Sequence, residues 1–133
     1  MPARCALFLA VLTLCMAVQG CGDRHTHPTP TTGAVMLNDV SVAEVLDAIT
    51  KAKLPAVNAR DETAATCPTA GCLEAIDTDT VSILKFPSTG RAELYAAAVP
   101  DMLQVEDIVV IFAPTLSSEQ KAAYGRVVKN SMR

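Results

Sequence analysis

The stretch QVEDIVVIFAP, residues 104–114, decides how the fold is read. Val109, Val110, Ile111 and Phe112 follow one another without a polar residue. An apolar, β-branched run of that length suits a strand covered on both faces. The stretch therefore predicts the strongest strand in the chain, buried on both faces.

Immediately upstream, STGRAELYAAAV, residues 88–99, predicts a helix opened by Ser88 or Thr89 and ended by Pro100. Before it, CLEAIDTDTVSILKF, residues 72–86, predicts two strands meeting near Thr78-Asp79-Thr80, the second of them apolar at most positions. Downstream, Ser117 and Gln120 have the spacing of a capping box, and Ala123, Tyr124, Val127 and Val128 supply a buried side for a last helix.

Order is expected from near Val35. Ser41 and Glu44 form another Ser-x-x-Glu capping signal, followed by Val42, Val45, Leu46 and Ile49 on one helical face. This predicts a helix over about 42–53, stopped by Pro55. PAVNARDET, residues 55–63, alternates weakly and reads as an edge strand. The expected class is α+β: a small, mostly antiparallel sheet of three to four strands with about three helices packed on one face.

The front of the chain has a different character. Arg4 precedes an apolar run from Ala6 to Val18, too short for the roughly 20 residues a membrane-spanning helix needs. Its basic start and small-residue exit predict an export signal over residues 1–20. Val18-Gln19-Gly20-Cys21 resembles the lipobox of bacterial lipoproteins, with Gln19 standing where a small residue is commonest. That resemblance implies cleavage before Cys21 and a diacylglyceryl group on its sulfur. One acyl chain binds a bilayer marginally, whereas two or three, at about 0.8 kcal/mol per buried methylene, hold it durably. Residues 21–34, the lipidated cysteine and GDRHTHPTPTTG, read as a flexible tether reaching roughly 35–40 Å if extended. Residues 35–133 are then one small domain. The threonines and prolines of the tether also suit a glycosylated stalk.

Composition narrows the function classes. The formal charge is −3, and about −4 once Arg4 leaves with the signal, which argues against nucleic acid as a partner. Of the five cysteines, Cys5 and Cys15 lie in the signal and Cys21 at the lipobox, leaving Cys67 and Cys72 as a pair. An exported compartment permits a disulfide. Pro68 and Gly71 let the short loop fold back far enough to bring the two β-carbons near 4 Å. The alternative is a redox pair, but thiol–disulfide enzymes favour C-x-x-C with a thiolate at a helix start. The wider spacing favours a structural staple.

Other constellations are sparser. His25 and His27 offer two imidazoles on the tether with no third ligand nearby, so no metal site is expected. Both histidines precede the domain, which leaves it without a Ser-His or Cys-His pair. No glycine-rich phosphate loop is present, and no cofactor is expected. Carboxylates come in neighbouring pairs: Asp61 and Glu62, Asp77 and Asp79, Glu106 and Asp107. Asp77 and Asp79 would face the same way on a strand, as hydrolase acids or calcium ligands do, yet their segment also reads as a turn. The chain contains no Trp to grip a sugar. Tyr95 and Tyr124 read as core aromatics with wet hydroxyls.

CPTAGC, TDTVSILKFPSTGRAELYA and QVEDIVVIFAP, together with the lipobox, resemble the small uncharacterised lipoproteins of mycobacteria and related actinobacteria. The resemblance covers about residues 67–120 and implies a cell-envelope location without a transferable activity. The expectation is a non-enzymatic lipoprotein on the outer face of the cell membrane, binding another envelope protein or lipid. A thiol–disulfide protein using Cys67 and Cys72 is the alternative.

Overall fold

The computed structural model describes residues 38–133. The predicted signal, Cys21, the tether and both histidines lie outside the described residues. The element order is α1 (Val42–Lys51), β1 (Arg60–Asp61), α2 (Thr63–Ala70), β2 (Glu74–Asp77), β3 (Val81–Lys85), α3 (Thr89–Ala96), β4 (Met102–Val105), β5 (Ile108–Phe112) and α4 (Ser118–Ser131). The five strands form one antiparallel sheet in the order β1-β2-β3-β5-β4. The class is α+β, with one more strand and one more helix than the upper expectation.

The helices divide between the two faces of the sheet instead of sharing one. Period-two alternation dictates this. Val81 and Ile83 of β3, with Ile108, Val110 and Phe112 of β5, pack against α1 and α4 through Val45, Ile49, Tyr124 and Val128. The intervening Leu84 and Val109 face the other way and pack with Cys67 of α2 and Ala92 and Ala96 of α3. Two apolar faces need two helical layers, and the continuous run 109–112 carried that signal.

The run QVEDIVVIFAP is not one strand. It breaks into the end of β4, a two-residue turn at Glu106-Asp107, and β5, with Val105 opposite Ile108. Glu106 has φ +53°, a value two-residue hairpins usually assign to glycine or asparagine. The turn's two side chains are held from a distant part of the chain. Asn38 Nδ2 donates to Glu106 Oε2 at 2.7 Å and to Asp107 Oδ1 at 2.5 Å.

Both capping boxes form as the spacing predicted, Ser41 with Glu44 and Ser117 with Gln120, and Ser88 caps α3. Helix α1 ends in a Schellman motif, in which Leu54 N–H donates to Ile49 O at 3.2 Å and Lys53 N–H to Thr50 O at 2.9 Å. Lys53 occupies the left-handed position, φ +58°. The weak strand expected over 55–63 shortens to Arg60–Asp61, paired with Asp77 and Ile76 at the sheet edge.

Helix α2 has no counterpart in the sequence reading. TAATCPTA carries no apolar period, buries only Cys67 and contains Pro68. Its ends are held by other means. Asp61 Oδ1 accepts from Thr63 N at 2.8 Å, Thr63 Oγ1 accepts from Ala75 N at 3.0 Å, and Gly71 turns the chain with φ +78°.

Candidate functional site

Helices α2 and α3 cover the two ends of their face of the sheet and leave a cleft of about 380 Å³ between them. Its floor is apolar, from Ala75, Leu84 and Ile111, and Thr66 and Tyr95 stand on its sides. Tyr95 is braced by Phe86, their ring centres 5.1 Å apart. The polar groups gather where β2 meets β3. Asp77 and Ser82 are cross-strand partners, and pairing puts both side chains on the cleft face.

The hydrogen bonding there is closed on itself. Asp77 Oδ1 accepts from Ser82 Oγ, and Asp77 Oδ2 accepts from Arg60 Nη2 at 2.9 Å. Arg60 Nε also lies 3.8 Å from Glu62 Oε1, so a single guanidinium bridges two carboxylates at the mouth. Asp79 is engaged elsewhere, accepting from Asn58 Nδ2 at 2.7 Å. The two aspartates that would face alike on an uninterrupted strand thus have separate partners. Thr78 Oγ1, buried, donates to Val81 O at 2.8 Å and makes their segment the turn that its aspartates also suggested.

Of the remaining carboxylates in pairs, Glu62 belongs to the cleft mouth and the other three lie outside the lining. Asp61, just ahead of the α2 N-cap Glu62, accepts from Thr63 N–H, and that hydrogen bond holds its carboxyl below the ordinary range. Glu106 and Asp107 form the hairpin turn, away from the cleft. Among the described residues, no group of three or more His, Cys, Asp or Glu is placed to hold a metal ion.

The sulfurs of Cys67 and Cys72 lie at bonding distance, 1.99 Å, with Cα atoms 4.6 Å apart. Both residues are only 9% exposed, packed beside Ala75, Leu84 and Phe86. A sulfur in that setting is poorly reached by an attacking thiolate. The pair joins the last turn of α2 to the start of β2, next to one wall of the cleft.

Tyr124 is a core aromatic, but its hydroxyl is not wet: it donates to Pro55 O, which also accepts from Thr80 Oγ1 at 2.6 Å. Sequence reasoning missed Arg60, Ser82 and Lys85. For Lys85 a signal existed, since a cation inside the apolar run VSILKF has to find a buried partner.

Among the described residues no helix is long and apolar enough to cross a membrane. No protein-family model, curated protein or solved structure matches the chain.

Proposed function

We propose that the chain is a lipid-anchored envelope protein whose folded domain is a non-enzymatic binding module. The anchoring half rests on the apolar run ending at Val18-Gln19-Gly20-Cys21 and on the resemblance to actinobacterial lipoproteins. The binding half rests on one observation: the Asp77 carboxylate is bonded on both oxygens, to Ser82 and Arg60. Each oxygen keeps a second lone pair, but among the described residues the cleft lining holds no histidine or free thiol to complete a nucleophile–base set with it. An apolar floor with a self-paired polar mouth suits recognition by shape and burial better than turnover. The burial of both sulfurs likewise favours a staple over an exchanging disulfide.

Intact mass of the membrane-extracted protein, alkylated without reductant, tests this reading. The expected species starts at Cys21, carries acyl groups and has no label on Cys67 or Cys72. A lipid-free mass would remove the anchor, and a labelled pair would revive the redox alternative.

A further inference from the structure

The sheet ends at β4, and its outer side is open among the described residues. Val105 and Ile108 close a two-residue turn, and Phe112 N–H donates to Asp101 O at 2.9 Å. Hydrogen-bonded pairs alternate along an antiparallel ladder. Asp101, Leu103 and Val105 therefore direct their backbone groups to β5, while Met102 and Gln104 direct theirs outward. Among the described residues no hydrogen bond reaches the main-chain N–H or C=O of Met102 or Gln104 from that side. Such an edge is a template for another strand unless it is blunted, and it bears no lysine or proline within Met102–Val105.

A second observation lies beside it. Between β4 and α4 runs a groove of about 350 Å³ with Leu103 and Phe112 in its apolar lining and Lys121, Arg126 and Lys129 on its helix side. Gly125 of α4 faces Leu103 here; a Cβ at that position would meet Leu103 Cδ2 at 3.4 Å, an ordinary contact distance. Lys121 Nζ is paired with Asp101 Oδ1 at 2.9 Å. Arg126 and Lys129 are exposed and, among the described residues, form no ion pair. Lys129 in the last turn suits the helix dipole, but Arg126 a turn earlier has no such role. A cationic groove on a chain of net charge −3 is a local reversal of sign.

We propose that this edge receives an extended acidic segment of a partner protein. The segment's backbone adds as a strand against Met102 and Gln104, and its carboxylates meet Arg126 and Lys129. Strand addition draws affinity from main-chain hydrogen bonds and specificity from side chains on alternate positions. The open main-chain groups select a peptide over a lipid headgroup. A second copy pairing through the same edge would bring the two cationic helices together, so charge selects a different chain. The proposal concerns a surface other than the Asp77 cleft and stands whether or not Cys21 is acylated.

The test is fluorescence anisotropy of the full chain with a labelled, alternating Glu-Val octapeptide at about 50 mM salt, where surface charges are weakly screened. Two controls are a Lys-Val octapeptide and the Glu-Val peptide N-methylated at alternate amides. Binding is expected for the Glu-Val peptide alone, weakened at least about tenfold by Arg126→Glu with Lys129→Glu. Amide shifts should centre on Met102–Val105. Both substitutions are on exposed positions, and circular dichroism checks that the fold survives. Equal binding of the Lys-Val or the N-methylated peptide would overturn the proposal. So would shifts confined to the Asp77 cleft, self-association through β4, or no binding at millimolar peptide.

Discussion

Lys85 and Asp107 face each other across the β3–β5 end of the sheet, Nζ to Oδ2 3.6 Å, with side chains 3% and 0% exposed. The ammonium makes its hydrogen bonds to backbone and amide oxygens: Val40 O at 2.6 Å, Asn38 O at 3.2 Å and Asn38 Oδ1 at 3.3 Å. Asp107 Oδ1 is bonded by Asn38, whereas its buried Oδ2 has only the charge of Lys85. Desolvating two ions is costly, and the pair is tolerated because each charge sees the other at short range.

Removing both charges should therefore cost less than the two single removals added together. Lys85→Met or Asp107→Asn alone is expected to destabilise by about 3–5 kcal/mol, because the surviving ion is buried without its counter-charge. The double variant should lose less than the sum, with coupling of about 1–3 kcal/mol. Urea unfolding of the four proteins completes the cycle. Additive losses would show that the pair is not coupled.

The Cys67–Cys72 link spans a short loop, so the chain-entropy model gives it about 2 kcal/mol. Replacing both cysteines by alanine should lower stability by about that amount. The loss should be localised: α2 has little apolar contact of its own, so its amides should exchange faster while those of α1 and α4 stay protected. Uniform acceleration in hydrogen exchange would contradict the view of α2 as a stapled element.

Lys53 stands in the left-handed position that ends α1. A residue with a Cβ pays about 1–2 kcal/mol there, partly offset because glycine has more freedom to lose on folding. Lys53→Gly is expected to stabilise by about 0.5–1 kcal/mol, read as a higher urea midpoint at unchanged slope. A destabilised variant would mean that the lysine side chain contributes contacts that outweigh the strain.

Acid should remove the contribution of the carboxylate that completes the α1 capping box. The hydrogen bond from Ser41 N–H holds the Glu44 carboxyl below its ordinary range. A folded-state value depressed in this way adds stability that is complete above the ordinary glutamate pKa. That stability is lost as pH falls through the lower folded value. Glu44→Gln retains an acceptor but does not titrate. The wild-type midpoint should fall more steeply than the variant's as pH drops from about 5 to about 3, measured by urea unfolding. Parallel curves would remove Glu44 from the acid response.

The sequence disclosed the elements whose signals are local. Ser41 with Glu44, Ser88, and Ser117 with Gln120 each mark a helix start, because capping needs only residues three or four apart. Helix α2 was hidden because TAATCPTA has no apolar period and its start is supported from twelve residues away, where Thr63 Oγ1 accepts from Ala75 N–H. The β4–β5 turn was hidden because Glu106 gives no turn signal. Its side chain is held instead by Asn38, 68 residues earlier. The cleft was legible only in part. Asp77 was singled out, but its engagement by Arg60 depends on how β1 registers against β2. The same strand pairing sends Asp79 to Asn58 and separates the two aspartates.

Asn38 also ties together parts of the chain that are far apart in sequence. Its side chain donates to Glu106 and Asp107 of the β4–β5 turn and accepts from Lys85 at the end of β3. Loss of this one amide would remove a hydrogen bond from all three at once. The entry to α1, the end of β3 and the β4–β5 hairpin should therefore loosen as one cooperative unit.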